Sequence, residues 1–166
     1  MSWLFPAVLS TLIGTLLLSV AYGYVYAAYR ERYLGLWTAA WGVYAVRYLA
    51  LLHMLARGQT PTVYFVNMSA IVAALLLLYL GTTEFIGQNP FRGWVIAFGA
   101  VESWVGIAIF GGLSFYALTV PLFGFMAAVL VWVGWQFLRS GLGPSLGKRV
   151  TGAAFILWGL HQADYP

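Results

Sequence analysis

Long apolar runs alternate with short polar gaps along this chain, and each run approaches membrane-crossing length. The first covers Leu4–Ala28 and gives way to Tyr29-Arg30-Glu31-Arg32; the second covers Leu34–Leu55 and stops at Arg57-Gly58-Gln59-Thr60-Pro61. A third, Thr62–Phe85, is followed by Gly87-Gln88-Asn89-Pro90-Phe91-Arg92. The next tract is too long for one crossing and divides at Gly111-Gly112-Leu113-Ser114, giving Gly93–Phe110 and Tyr116–Leu138, with Pro121 in the first turns of the latter. A glycine-rich polar loop from Arg139 to Arg149 precedes the last run, Val150–Tyr165. One crossing takes about 20 apolar residues, and in lipid a helix satisfies its own backbone donors and acceptors. The pattern predicts an all-α fold, a polytopic integral membrane bundle of about six transmembrane helices, as one domain over residues 1–166.

Composition agrees. The 166 residues are 63% hydrophobic and only 7% charged, whereas soluble domains carry about 25% charged residues. The net charge of +4 is no nucleic-acid footprint, because every Lys and Arg except Arg47 lies at the end of an apolar run. The first, third and fifth loops hold Arg30, Arg32, Arg92, Arg139, Lys148 and Arg149; the second and fourth hold Arg57 alone. The positive-inside rule then puts the odd loops in the cytoplasm and the N-terminus outside, in a multi-pass protein of the cell inner membrane. No basic n-region or small-residue cleavage site opens the chain, so the first run reads as a retained helix. The absence of cysteine removes disulfides and thiolate metal sites. The last run is short, about 24 Å at 1.5 Å per residue, and the chain is expected to be the N-terminal part of a longer one. Ser10/Gly14, Ser19/Gly23, Gly35/Ala39, Gly99/Ser103 and Gly124/Ala128 have the small-xxx-small spacing that lets membrane helices approach closely.

The candidate chemistry lies in polar residues within the runs. Arg47 falls about 20 Å from the cytoplasmic end of its span, Glu102 about 14 Å, His161 about 17 Å, Asp164 about 21 Å and His53 about 28 Å. An arginine at that depth costs at least about 2.5 kcal/mol, so it should face the bundle and pair with Glu102 or Asp164. Such a pair either locks helix packing or lines a ligand or proton site. Trp37, Trp41, Tyr44, Tyr48 and Leu51 share one helix face that Arg47 borders, a packing surface or one wall of a pocket. His53, His161 and Asp164 supply the donor types of a metal or haem site, but their depths differ by roughly 11 Å. No nucleophile–base pair, phosphate loop or two-histidine zinc helix is present, and four acidic residues with two histidines leave little material for an active site.

Two stretches carry a resemblance. One runs from Tyr29 to Trp41 (Tyr-Arg-Glu-Arg-Tyr-Leu-Gly-Leu-Trp-Thr-Ala-Ala-Trp) and on through Tyr44, Arg47 and Tyr48. The other is Gly152–Pro166, above all Leu157-Trp158-Gly159-Leu160-His161-Gln162-Ala163-Asp164-Tyr165-Pro166. Both are similar to the N-terminal multi-span sensor regions of bacterial membrane-bound signalling proteins, whose outputs are diguanylate cyclase, phosphodiesterase, PAS or histidine-kinase domains. The resemblance implies a sensory input module, with Arg47, His161 and Asp164 among its marker positions, and any catalytic activity confined to an output domain absent from this chain.

The expected function is therefore non-enzymatic: a membrane-embedded sensory domain that couples a ligand or membrane stimulus to a cytoplasmic output domain. Its candidate site comprises Arg47, Glu102, His161, Asp164, Trp37, Trp41 and Tyr44. No cofactor or metal is expected. The expected partners are the lipid bilayer, an unidentified small molecule, the downstream signalling domain and a second copy in a homodimer, with no nucleic acid. The rivals are a small transporter or channel with Arg47 and Glu102 on its path, and a haem or metal redox protein using His53, His161 and Asp164.

Overall fold

The structure, a computed structural model, describes residues 3–141 and 146–163. These form six α-helices: α1 Leu4–Tyr29, α2 Arg32–Arg57, α3 Pro61–Phe85, α4 Arg92–Phe110, α5 Phe115–Arg139 and α6 Leu146–Ala163. All lie within a few residues of the apolar runs that announce them. Five of them, α1 to α5, are long and apolar enough to cross a membrane, so this is a multi-pass membrane protein. The all-α bundle of about six helices is thus as expected. Among the described residues α6 falls short of the other five in apolarity, because its 18 residues include Lys148, Arg149, His161 and Gln162.

Local chemistry sets the helix ends. Thr60 caps α3, its hydroxyl oxygen accepting from Val63 N–H at 3.3 Å, with Pro61 at the first helical position where a missing N–H costs nothing. Ser114 caps α5 in the same way through Ala117 N–H. The divide expected at Gly111–Ser114 is a Schellman turn: Gly112 has φ +67°, Leu113 N–H reaches Ala108 O at 2.9 Å, and Gly112 N–H reaches Ile109 O. An L side chain at Gly112 would cost roughly 1–2 kcal/mol in that left-handed conformation.

Successive helices run antiparallel, each packed on its sequence neighbour, and α3 also packs on α5. Those two central helices are 50% buried within their apolar windows, against 17% for α1, α2 and α4. α1 buries only a stripe, Val8, Leu12 and Thr15, and Ser19 continues it by donating to Thr38 O on α2 at 3.1 Å. Towards its C-terminal end Tyr22 and Tyr26 also contact α2, while the opposite face of α1 presents leucines, valine and isoleucine outward, as a lipid-facing helix should.

Close backbone approach occurs at fewer of the expected small-residue pairs than their spacing implies. Gly23 and Gly35 do meet neighbours, at Thr38 and Tyr26. A Cβ at Gly14, Gly99 or Gly124 would meet nothing within 4 Å, so those three pairs do not mediate packing. The tightest contact instead joins α5 and α6, where a Cβ on Gly134 would sit 2.5 Å from Gly152 O and one on Gly159 would sit 2.9 Å from Ala127 O.

Pro121 lies inside α5, in its first two turns as expected, but far enough in to remove one intrahelical hydrogen bond. Its missing N–H would leave Ala117 O unpaired. The Trp104 indole of α4 donates to that oxygen at 3.0 Å. The cost of the proline is thus offset by the neighbouring helix.

Candidate ligand site

Arg47 sits midway along α2 between two tyrosines. Its Cζ lies 5.3 Å from the Tyr44 ring centre and 5.4 Å from that of Tyr48, and Nη1 donates to the Tyr44 hydroxyl at 2.5 Å. Desolvated cation–π contacts reach about 2 kcal/mol, comparable to the insertion cost of the charge. The side chain is half-buried, and its Nε is buried without a hydrogen-bond partner.

The expected ion pair with Glu102 is not formed. Glu102 accepts a hydrogen bond from the Ser69 hydroxyl at 2.5 Å, which ties α4 to α3. Depth is not the obstacle. Trp37 packs on Gly81, and that register brings Arg47 opposite Ile71, close to the Ser69–Glu102 level. The obstacle is lateral, because α3 stands between α2 and α4. The other expected partner, Asp164, lies outside the described residues.

Beside Arg47 opens a cavity of about 640 Å³ at the end of the bundle where α2 meets α3 and α4 meets α5. Arg47, Leu51 and Met54 come from α2, Tyr64, Asn67 and Met68 from α3, Ala108 and Ile109 from α4, and Phe115 and Leu118 from α5; Gln59 and Ser114 stand in the two turns. Its volume falls within the usual small-molecule range of about 300–1,000 Å³. Asn67 is only 4% exposed, yet its Oδ1 has no hydrogen-bond partner. Leaving such a buried group unsatisfied costs about 1–3 kcal/mol. Asn67 and Tyr64 are site residues that attention to charged and histidine side chains passes over. The signal was a carboxamide within the apolar run Thr62–Phe85.

The aromatic positions on α2 lead to a different place. Trp37 and Trp41 line a second cavity of about 360 Å³ at the opposite end, with Tyr22, Phe85, Phe137, Phe155, Thr151 and Lys148. Lys148 donates to Ser140 O there. Trp41 stacks on Trp158 of α6, ring planes 3° apart and centres 6.4 Å apart. Between the two cavities the interior narrows to a void of about 30 Å³ beside Trp41, Tyr44, Leu75, Leu78, Met126 and Leu130. Of the expected aromatic face, Tyr44 and Tyr48 flank Arg47, whereas Trp37 and Trp41 line the other cavity.

The histidines are not brought together. His53 is exposed near the end of α2. The Trp41–Trp158 contact sets His161 about level with Tyr44, roughly 13 Å short of His53 at the helical rise. Among the described residues no three His, Cys, Asp or Glu side chains cluster in a way that could hold a metal ion. Comparison with protein-family models, with curated protein sequences and with solved structures finds no match to this chain.

Proposed function

We propose that this chain is a membrane-embedded sensory module in which a small molecule held beside Arg47 shifts helix packing and thereby a cytoplasmic output domain. The single observation that carries this reading is the cavity itself: Arg47 and Asn67 line one 640 Å³ space whose other walls are largely apolar, the usual make-up of a small-molecule pocket. All four helices that line it continue to the other end of the bundle. A ligand that favours one packing over another would therefore move both ends together.

The loop charges support the orientation. With Arg30, Arg32, Arg92, Arg139, Lys148 and Arg149 on one side and Arg57 on the other, the positive-inside rule puts this cavity on the outer face of the inner membrane. The cavity lined by Lys148 then lies on the cytoplasmic side.

Spin labels at Gln88→Cys and Gly141→Cys, in two loops on the cytoplasmic side, test the coupling without background because the chain has no cysteine. Arg47→Gln is expected to alter the label-to-label distance distribution, and Arg57→Ala to leave it unchanged. Identical distributions in all three proteins would remove the sensory reading.

A transporter is the second reading, favoured by one observation: the two cavities open at opposite ends and are separated by a narrow apolar layer. Flux of labelled small acids into proteoliposomes decides between them, since a sensor should carry none.

A further inference from the structure

We infer that the cleft beside Lys148 holds one anionic phospholipid, its phosphate at the Lys148 ammonium and an acyl chain against the aromatic wall. This is the 360 Å³ cavity at the end opposite Arg47, and the inference does not rest on the sensory reading. The shape suits a lipid in one leaflet. Among the described residues the backbone of α6 approaches that of α5 alone. A gap is left between α6 and the α1–α2 pair, bridged at its inner end by the Trp41–Trp158 stack. The cleft lies in that gap, with Tyr22, Trp37 and Trp41 on one side and Lys148, Thr151 and Phe155 on the other. A gap between membrane helices faces hydrocarbon, so a lipid can enter sideways. From Lys148 to Trp158 the α6 rise is about 15 Å, half of an about 30 Å hydrocarbon core.

The walls and the charge specify the two parts of the molecule. Ring centres of Tyr22 and Trp37 are 5.8 Å apart, those of Trp37 and Phe85 5.4 Å, and those of Phe137 and Phe155 5.8 Å. That is a surface for an acyl chain and not for a soluble polar molecule. Among the described lining residues Lys148 alone is charged. Its ammonium carries three donors, one of which goes to Ser140 O and anchors it at the polar boundary. The Thr151 hydroxyl belongs to the same face one turn deeper. Arg30, Arg32, Arg92, Arg139 and Arg149 gather at this end of the bundle, and basic clusters at a membrane boundary draw anionic lipids. A zwitterionic headgroup would bring its own cation into that field. Phosphatidylglycerol brings a net negative charge and no cation.

The detergent-solubilised full chain, titrated with phosphatidylglycerol or phosphatidylcholine of the same acyl chains and read by native mass spectrometry, tests this. The first phosphatidylglycerol is expected to bind about tenfold more tightly than phosphatidylcholine, for one charge-assisted contact, and later ones without preference. Lys148→Gln should remove the preference. Arg149→Gln, an equal loss of charge at a residue that does not line the cleft, should keep it. Thr151→Phe leaves every charge in place and fills the cleft, so it should lose the tight site in a protein whose melting temperature shows it folded. Equal binding of the two lipids, or a Lys148→Gln protein that retains the preference, overturns the proposal. Equal losses in Lys148→Gln and Arg149→Gln overturn it in favour of general surface attraction, as does a folded Thr151→Phe protein that binds like the parent. Displacement of the lipid by glycerol 3-phosphate at the same concentration would overturn the lipid in favour of a soluble phosphate.

Discussion

At the scale of single residues, most polar side chains in this bundle are satisfied along their own helix, as Thr15 and Thr119 are, and a few reach across to a neighbour. Trp104 and Pro121 are the clearest case, because a donor on α4 satisfies a carbonyl that a proline on α5 leaves open. Trp104→Phe should destabilise the detergent-solubilised chain by about 0.6 kcal/mol, with an upper limit near 1.7 kcal/mol typical of interhelical hydrogen bonds in lipid. In a Pro121→Ala background the same substitution should cost less, since the restored N–H bonds to Ala117 O within the helix. A double-mutant cycle measured by denaturant titration reads that difference, and strict additivity would refute the pairing. Ser69 and Glu102 follow the same logic between α3 and α4. Arg47 follows the commoner pattern: its partners are its own helix neighbours, Tyr44 and Tyr48, and the side chain lines the candidate cavity.

At the scale of elements, the glycines divide into those that touch a neighbouring helix and those that face open space. Gly134, Gly152 and Gly159 bring the backbones of α5 and α6 together, and these were not among the pairs chosen for their spacing. Gly152→Leu should push the helices apart and cost about 1–3 kcal/mol, the usual range for overpacking. Gly124→Ala, where a Cβ meets nothing within 4 Å, should be neutral or stabilise by up to about 1 kcal/mol through helix propensity. Thermal unfolding in one detergent compares the two, and a Gly152→Leu protein as stable as Gly124→Ala would show that the α5–α6 contact contributes nothing. Spacing alone could not sort these positions, because a four-residue repeat recurs on every face of a helix. Only the neighbour across the gap decides which face is an interface.

At the scale of the molecule, the bundle is layered as α1 on α2 on α3, with α4 and α5 closing around α3 and α6 flanking α5. The side chains of Trp41 and Trp158 join α2 to α6 across the space between them. Membrane sidedness is testable with a single impermeant thiol reagent. Gln59→Cys should be labelled in intact cells and Gln88→Cys only after permeabilisation, as loop charge requires. The reverse pattern would invert the topology and place the Arg47 cavity on the cytoplasmic side.

The chain's amino-acid order determined the helices, their ends and the solvent that surrounds them, because each depends on neighbours within a few residues: apolar length, caps such as Thr60 and Ser114, and turn glycines such as Gly112. It also singled out Arg47 and the depth of Glu102, since depth follows from counting residues along one helix. Tertiary structure alone decided that α3 separates those two charges, that Glu102 belongs to Ser69, and that Asn67 shares a cavity with the arginine. Lateral position depends on which helix packs against which. That is set by many small contacts between segments far apart in the chain, and no local pattern of residues encodes it.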